Sequence, residues 1–208
     1  MNATGRFFAL EGGEGVGKST QLRLLAEALR ARGVGVVTTR EPGGTPRAEA
    51  IRAMVLDPAG DGWGPRAEAL LFAAARADHV ERLIRPALAR GDWVLTDRYL
   101  DSSRAYQGGG SGLDDADILT LHRIGSGGLL PDRTVLLQLD PDEAARRLAE
   151  RDRGHSDRIG GRDIAYHARV AAAFRRFAEA DPHRFALIDA SGAPDEVHAR
   201  VLAAVLER

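Results

Sequence analysis

The amino-acid sequence predicts a three-layer α/β fold, in which helices cover both faces of a five-stranded parallel sheet. Two observations lead to this prediction. Short apolar runs typical of buried strands alternate along the chain with longer segments of helical periodicity. The first apolar run also ends in a glycine-rich turn directly before a helical pattern. Repeated strand, helix, strand order requires right-handed crossovers, which place helices on both sides of one sheet.

Five segments have the length and the apolar content of buried strands. They are 6–11 (RFFALE), 34–39 (VGVVTT), 93–97 (WVLTD), 134–140 (TVLLQLD) and 185–189 (FALID). Strands that are buried on both faces of a parallel sheet have continuous rather than alternating apolar residues. Because one sheet accounts for all five, we expect a single domain over residues 1–208.

The segments between the strands have helical periodicity. In the first of them, Leu22, Leu25, Ala26 and Leu29 lie at positions i, i+3, i+4 and i+7, and Gly33 marks the end. Further helices are expected at 47–56, 66–90, 114–124, 141–151, 162–180 and 194–207. Within 66–90, Pro86 predicts a kink or a boundary, because proline removes a helical hydrogen bond.

Three segments are predicted to lack regular structure. Residues 108–112 (GGGSG) and 125–128 (GSGG) have the composition of flexible spacers. Too few residues separate them to form a domain, so both are expected to be loops beside a site. Residues 152–162 (DRGHSDRIGGR) are polar, contain glycines and lack apolar periodicity. They predict a mobile lid over approximately residues 151–162.

The composition excludes several classes of protein. A formal net charge of −1 gives no general attraction to nucleic acid or anionic lipid. The sequence has no apolar run near the ~18 residues that cross a bilayer, and its N-terminus does not have the layout of a signal peptide. It contains no cysteine, and its six histidines show no zinc-binding spacing. We expect a cytoplasmic protein that binds neither nucleic acid nor membranes and is not a zinc enzyme.

A glycine-rich motif, G-x-x-x-x-G-K-[ST], lies between the first strand and the first helix. Its glycines allow backbone N–H groups to turn inward around a phosphate at the positive end of the helix. Lys18, the only lysine among the 29 basic residues, can reach the β- and γ-phosphates, and the Ser19 hydroxyl can ligate Mg²⁺. The motif predicts an ATP site formed by Gly12, Gly13, Glu14, Gly15, Val16, Gly17, Lys18, Ser19 and Thr20.

The single lysine narrows the class of phosphate-binding protein. A GTPase of the N-K-x-D type and a protein kinase each need a second lysine, so an ATPase or a small-molecule kinase remains. Asp97 and Asp140 both follow apolar strands, and either could supply the second acidic group near the metal. Asp97 is the preferred ligand, because Arg98 and Tyr99 follow it directly.

Four further residues favour an acceptor site. Arg40 and Arg98 each follow a strand, and the carboxyl ends of parallel strands form the ligand crevice of such folds. Two arginines there could bind a second phosphate. Phe72 and Arg76 share a helix face, which suits stacking on a base and donation to its carbonyl edge. By position alone, surface arginines and a core phenylalanine are the default interpretation of these residues, and only the surrounding motifs favour an acceptor site.

Six segments together resemble bacterial thymidylate kinases. They are 10–20 (LEGGEGVGKST), 39–45 (TREPGGT), 69–79 (ALLFAAARADH), 97–110 (DRYLDSSRAYQGGG), 129–137 (LLPDRTVLL) and 151–161 (RDRGHSDRIGG). They cover nearly the whole chain in order. The resemblance implies the P-loop kinase fold, transfer of the γ-phosphoryl group of ATP to dTMP with Mg²⁺, and a homodimer.

The resemblance also implies roles for single residues on the acceptor side. Glu14 would lie near the 3′-hydroxyl of the sugar, Arg40 and Arg98 on the dTMP phosphate, and Tyr106 where a ribose 2′-hydroxyl would sit. The base would be bound by residues of two segments. These are Phe72 stacked on thymine, Arg76 at its O4, and Ser103 and Gln107 beside it.

The family places its catalytic arginine either in the P-loop or in the lid. Because Gly15 occupies the P-loop position here, the lid is expected to supply the charge, from Arg151, Arg153 or Arg158. The residues predicted to be catalytic are Lys18, Arg98, Arg153 and Arg158. The alternatives are another nucleoside monophosphate or deoxynucleoside kinase with a different base preference and, less favoured, a P-loop ATPase that acts as a switch.

Overall fold

The computed structural model describes residues 4–59, 61–152 and 157–207, apart from the side chains of residues 151 and 152. Its strands are β1 (Phe7–Glu11), β2 (Val36–Arg40), β3 (Trp93–Asp97), β4 (Arg133–Gln138) and β5 (Phe185–Asp189). They form one parallel sheet in the order β2-β3-β1-β4-β5. The predicted α/β class and its five-stranded parallel sheet are confirmed.

Helices occupy the predicted connections between the strands. They are α1 (Lys18–Arg30), α2 (Pro46–Leu56), α3 (Pro65–His79), α4 (Arg85–Ala89), α5 (Leu100–Ser103), α6 (Asp115–Ser126), α7 (Pro141–Asp152), α8 (Ile164–Ala180) and α9 (Pro194–Leu206). None of the described helices is long and apolar enough to cross a membrane.

The central strand β1 contributes to both cores, because successive side chains of a strand point to opposite faces. Phe8 and Leu10 pack with residues of α1 and α9 on one face of the sheet. Phe7 and Ala9 pack with residues of α4 and α6 on the other. All five residues of β1 are buried. The loop that follows β1 is therefore fixed at the centre of the molecule.

The long helical pattern over 66–90 is interrupted, as Pro86 predicts. A π-helical turn, Val80–Ile84, separates α3 from α4, and Pro86 lies in the first turn of α4. The backbone angles stay helical at both boundaries, and the Arg85 N–H donates to the Val80 carbonyl, five residues back, so the wider π-helical turn accommodates the proline.

The prediction of a loop at 108–112 is wrong for its first three residues. Gly108, Gly109 and Gly110 belong to a π-helical segment, Arg104–Gly110, that continues α5. A Cβ at Gly109 would lie 2.5 Å from the Ala173 side chain, and one at Gly110 would lie 2.5 Å from the Tyr166 ring. The glycines therefore allow α8 to pack closely rather than providing flexibility. Similarly, the first two residues of 125–128 belong to α6.

Candidate active site

A cavity of about 770 Å³ lies at the carboxyl edge of the sheet. The register pairs Leu10 of β1 and Arg40 of β2 with Asp97 of β3, so the loops after these strands start side by side. The cavity brings together most of the predicted site residues. They are Glu14, Gly15, Val16, Gly17, Lys18, Ser19, Thr20, Arg40, Phe72, Arg76, Asp97, Arg98, Ser103, Tyr106 and Gln107.

The P-loop has the backbone geometry that the glycines predict. Gly12, Gly15 and Gly17 have φ values of 134°, 74° and 92°, which residues with a side chain rarely adopt. Gly15 also lies close against α7, because a Cβ there would collide with the Ala144 carbonyl oxygen. The loop is thus fixed both by its own conformation and by a neighbouring helix.

Lys18 is folded against this loop. Its Nζ donates to the carbonyl oxygens of Gly12 at 3.2 Å and Gly13 at 2.6 Å, and the residue is 7% exposed. Burial, and then the charge of Arg98, lower the pKa of Lys18 to about 8. An anion near Nζ would counteract both effects.

Arg98 lies between the P-loop and the other half of the cavity. Its Nη1 donates to the Gly12 carbonyl at 3.1 Å and to Ser102 Oγ at 3.2 Å, and its Nη2 pairs with Glu14. The guanidinium carbon lies 4.9 Å from the centre of the Tyr106 ring. Arg98 has a φ of 70°, an uncommon conformation for a residue other than glycine, and this turn directs the chain from β3 into α5.

Ser19 and Asp97 are in contact where α1 begins. Ser19 Oγ donates to Asp97 Oδ2 at 2.8 Å. A hydroxyl and a carboxylate are oxygen ligands of the kind that Mg²⁺ prefers. Asp140, the other acidic candidate, is not among the residues that line the cavity. Its Oδ1 accepts from the N–H groups of Asp142 and Glu143, so it caps α7.

Arg76 is held in a buried network. Its Nε donates to Glu41 at 2.7 Å, and its Nη2 donates to the Tyr99 carbonyl at 3.1 Å and to Ser103 Oγ at 2.8 Å. Burial alone would raise the pKa of Glu41, but the charge of Arg76 and the hydrogen bond with His79 keep that pKa below its usual value. The network fixes Arg76 beside the cavity.

Phe72, one turn before Arg76, both lines the cavity and packs in the core. It is 9% exposed and contacts the cluster that includes Val55 and Tyr106. The two interpretations of Phe72 that the sequence left open, core residue and base platform, are therefore compatible. One ring face can pack in the interior while the other faces the cavity.

Comparison with known proteins identifies the family. A model of the thymidylate kinase family matches residues 10–201. The thymidylate kinase of Rhizorhabdus wittichii is 60% identical over 203 residues, which cover 98% of each chain. The chain belongs to the thymidylate kinase family. The thymidylate kinase of Cereibacter sphaeroides is 50% identical over 208 residues, which cover 99% of this chain and 96% of that relative.

A solved structure agrees with this assignment. The crystal structure of thymidylate kinase from Ehrlichia chaffeensis has a TM-score of 0.81 to this chain and is 32% identical, and the match covers 97% and 98% of the two chains. The predicted family resemblance and the P-loop kinase fold are confirmed. The chain is therefore a phosphotransferase.

The arginines expected in the lid of this thymidylate kinase homologue are not brought to the cavity in the described part of the chain. Arg158 Nε donates to the Asp57 carbonyl at 2.9 Å, and its side chain lies beside Gly62. Arg153 lies outside the described residues, as does the side chain of Arg151. A catalytic role for these arginines stays a prediction.

Two buried glutamates, Glu11 and Glu41, belong to the framework of the site although the sequence motifs did not assign them a role. Glu11, the last residue of β1, accepts from the N–H groups of Tyr99 at 2.8 Å and Ser102 at 3.1 Å. Burial, and then Asp101, raise its pKa to about 7. Glu41 anchors Arg76. An acidic residue at the end of an apolar run was the available signal for Glu11.

Arg52 of α2 is a further residue that sequence reasoning missed. It lines the cavity with Arg40, and its Nη1 donates to the Pro42 carbonyl at 2.8 Å. Burial, and then the charge of Arg40, lower the pKa of Arg52. Arg40 itself pairs with Glu49 at 3.1 Å and is half exposed. Nothing in the helical periodicity of 47–56 distinguishes Arg52 from Arg47.

Proposed function

We propose that the chain binds ATP and dTMP at opposite ends of this cavity, with the reacting phosphates meeting above Gly12. The reaction itself, transfer of the γ-phosphoryl group of ATP to dTMP, follows from membership of the thymidylate kinase family. One observation supports the placement above all. Lys18 Nζ and Arg98 Nη1 donate to the same oxygen, the Gly12 carbonyl, at 3.2 and 3.1 Å. Lys18, which is expected to bind the ATP phosphates, thus lies next to Arg98, which is expected to bind the dTMP phosphate.

On the donor side, the P-loop N–H groups and Lys18 would hold the phosphates of ATP. The adenosine end then lies towards α9. This part of the cavity is lined by Gln21, Arg147, Gly192 and Pro194. Gln21 Nε2 donates to the Pro194 carbonyl at 2.9 Å, and Arg147 Nη1 donates to the Ala190 carbonyl at 3.2 Å. These hydrogen bonds connect the loop after β5 to α1 and α7, and they hold in place the residues that would surround the adenosine end.

Ser19 and Asp97 fit a magnesium ion that is shared with the nucleotide. Among the described residues, no group of three or more acidic or histidine side chains could hold a metal by itself. Two protein oxygens together with phosphate oxygens are a typical environment for Mg²⁺. A bound Mg²⁺ would neutralise charge on the phosphates during transfer.

On the acceptor side, Arg98 and Arg40 would bind the dTMP phosphate, and Glu14 would accept from the 3′-hydroxyl of the sugar. Tyr106 lies against both Arg98 and Glu14, with its hydroxyl 3.3 Å from Glu14 Oε1. This contact supports a role for the Tyr106 ring beside the sugar. A ribose 2′-hydroxyl would collide with the ring.

The base would lie between Phe72 and the end of α5. Phe72 supplies an apolar ring, and Arg76 supplies a guanidinium that can only donate. Arg76 Nη1 makes no hydrogen bond to the described residues, so it is the nitrogen available to the carbonyl oxygen O4 of thymine. Ser103 and Gln107 complete the wall of the base site.

Alignment and charge account for the catalysis that these residues can supply. Phosphoryl transfer needs little covalent help, so a strong general base is not required. Lys18 and Arg98 would stabilise the negative charge of the transition state, and Arg153 and Arg158 would add to it when the lid closes. Closure would also exclude water, which otherwise accepts the phosphoryl group.

We also propose that the chain forms a homodimer. Helix α3 packs between α2 and α6, and these helices carry exposed apolar side chains. These are Met54 on α2, Leu70 on α3, and Leu119 and Ile124 on α6. Apolar side chains on adjacent helices are typical of an obligate interface. A cytoplasmic location stays a prediction.

A coupled assay with ATP and Mg²⁺ tests the substrate. With dTMP, dUMP, CMP and AMP offered separately, we expect dTMP to have the highest kcat/KM and the product to be the diphosphate. A preference for CMP or AMP would contradict the choice of substrate. Hydrolysis of ATP without a phosphorylated nucleotide would support a P-loop ATPase instead. Light scattering of the wild type and of Ile124→Glu tests the dimer, and we expect the variant to be a monomer.

A further inference from the structure

The base site contains an amide whose orientation determines which base it accepts. Gln107 lines the cavity and is 1% exposed. A glutamine side chain ends in a carbonyl oxygen, which accepts, and an NH₂ group, which donates. The two ends have nearly the same shape. Whichever end faces the base selects between bases with opposite hydrogen-bonding edges.

The NH₂ end of Gln107 is held away from the base by a residue outside the cavity. Gln107 Nε2 donates to Glu68 Oε1 at 2.8 Å. Glu68, on α3, is fully buried and is not among the residues that line the cavity. Because a carboxylate can only accept, it requires the NH₂ group of Gln107 and leaves the Gln107 Oε1 atom for the base. That oxygen makes no hydrogen bond to the described residues.

Glu68 is itself fixed by an arginine that follows the predicted lid. Arg162 Nη2 donates to Glu68 Oε2 at 2.7 Å, and Arg162 Nη1 donates to Ser111 Oγ at 3.0 Å. The guanidinium carbon lies 4.5 Å from the centre of the Tyr166 ring. Since a guanidinium can only donate, Arg162 keeps the second oxygen of Glu68 as an acceptor as well.

We propose that Glu68, held by Arg162, is a positioning residue that sets base specificity by fixing the amide of Gln107. This proposal rests on the proposed function, which places thymine beside Phe72 and Arg76. The site then offers an acceptor, Gln107 Oε1, next to a donor, Arg76 Nη1. A 4-keto pyrimidine matches this pattern, because its N3–H donates and its O4 accepts.

A 4-amino pyrimidine reverses both groups. Its N3 accepts and its exocyclic N4 donates, so it would face Gln107 Oε1 with a lone pair and Arg76 with a second donor. Buried polar groups that are left unpaired are costly, and sites built on hydrogen bonds therefore discriminate strongly. Glu68 gives the site this selectivity without touching the substrate.

The substitution Glu68→Gln tests the proposal with almost no change in shape. Arg162 still only donates, so it retains the carbonyl oxygen of the new side chain, and the new NH₂ group faces Gln107. Gln107 must then turn its own oxygen towards position 68 and its NH₂ group towards the base. We expect kcat/KM for dTMP to fall about tenfold or more while that for dCMP does not fall, with the KM for ATP unchanged.

Inhibition constants replace kcat/KM where dCMP is turned over too slowly to measure. Glu27→Gln is the matched control, because it makes the same chemical change in the exposed ion pair with Arg23. A double variant identifies the route of the effect. In a Gln107→Ala background, Glu68→Gln should leave the ratio of dTMP to dCMP unchanged, since it acts through Gln107.

The outcomes separate this inference from the proposed function. A wild type that does not prefer dTMP contradicts the proposed function. A wild type that prefers dTMP, together with a Glu68→Gln variant of unchanged preference, overturns only the role of Glu68. Equal losses for dTMP and dCMP also overturn it, because they indicate a structural role. If Glu68→Gln does not fold, the double variant Glu68→Leu/Arg162→Leu decides, because it removes the acceptor that orients Gln107 and leaves no buried charge unpaired. An unchanged dTMP to dCMP ratio in that variant overturns the proposal.

Discussion

The Arg98 guanidinium pairs with the Glu14 carboxylate, and this ion pair joins the end of β3 to the P-loop. The same guanidinium donates to Gly12, so Arg98 contacts the P-loop at two points. A phosphate that binds Arg98 must compete with Glu14 for it. The proposed mechanism uses this competition, because a displaced Glu14 carboxylate becomes available to accept from the sugar.

Glu14→Ala should remove recognition of the sugar 3′-hydroxyl. We expect the wild type to bind dTMP about tenfold more tightly than its 3′-deoxy analogue, as a hydrogen bond to a charged acceptor predicts. The variant should bind the two almost equally. Competition assays that give Ki for both nucleotides measure this ratio. A Glu14→Ala variant that keeps the wild-type preference would place the 3′-hydroxyl elsewhere.

Lys18→Arg should lose most activity although it keeps the charge. Nζ lies between two carbonyl oxygens at 3.2 and 2.6 Å, a geometry that suits a compact ammonium on a flexible stem rather than a planar guanidinium. We expect kcat to fall by about 100-fold or more. Thermal unfolding should remain close to that of the wild type. Near-normal turnover in Lys18→Arg would refute the requirement for a compact ammonium.

ATP affinity should depend on pH through Lys18. Burial, and then Arg98, lower the pKa of this ammonium to about 8, whereas bound phosphates favour its charged form. Affinity should therefore be constant below pH 8 and fall as the pH rises above it, by up to about tenfold per pH unit. Isothermal titration calorimetry at several pH values from about 7 to about 9.5, on both sides of that pKa, measures this slope. The Lys18→Arg variant should lack this slope, because a guanidinium does not lose its proton in this pH range. The same slope in both proteins would assign the pH dependence to another group.

Phe72→Leu should weaken dTMP binding and spare ATP. Leucine fills much of the core space beside Val55 and Tyr106 but lacks the flat ring on which a base stacks. We expect the KM for dTMP to rise about tenfold, since stacking of a base on an aromatic ring contributes roughly 1–3 kcal/mol. Phe72→Ala serves as the comparison and should also be less stable. An equal loss of ATP and dTMP binding in Phe72→Leu would assign the residue to the core alone.

Arg158→Ala and Arg153→Ala should each lower kcat more than they weaken dTMP binding. A cationic side chain that acts only on the transition state changes kcat, whereas one that holds the ground state changes KM. Arg158 would have to leave the Asp57 carbonyl to reach the phosphates. Steady-state kinetics with dTMP varied at saturating ATP distinguish the two effects. A pure KM effect in both variants would move these arginines to substrate binding.

The elements of the fold were predictable where the pattern is local. β3 and β5 have the predicted bounds, and Pro86 lies at a helix boundary. These features were predictable because an apolar run or a proline influences the backbone only within a few residues. The segment at Gly108–Gly110 was not predictable in this way. Its glycines suggest a loop by composition, but their helical form depends on close packing against Ala173 and Tyr166, which lie far along the chain.

The residues of the candidate site also separate into those that the local sequence predicts and those that it does not. Lys18 was predictable from its glycine-rich motif, and Arg40 and Arg98 were predictable because they lie at the carboxyl ends of parallel strands, which meet at one edge of the sheet. The roles of Glu11, Glu41 and Arg52 were not predictable in this way, although Glu11 and Glu41 also lie at the ends of strands. Each becomes part of the site through partners or neighbours distant in sequence, as Glu11 does with the N–H groups of Tyr99 and Ser102.

By itself, the sequence determined the sheet, the phosphate loop and the family. These depend on periodicity, on glycine conformations and on motifs that are each complete within a short stretch of chain. The tertiary structure decided how Arg98 meets Glu14, how Arg76 is held by Glu41, and where Arg158 lies. Hydrogen-bond direction and the displacement of water from charged groups depend on which atoms lie within about 3 Å, and only the folded chain determines those neighbours.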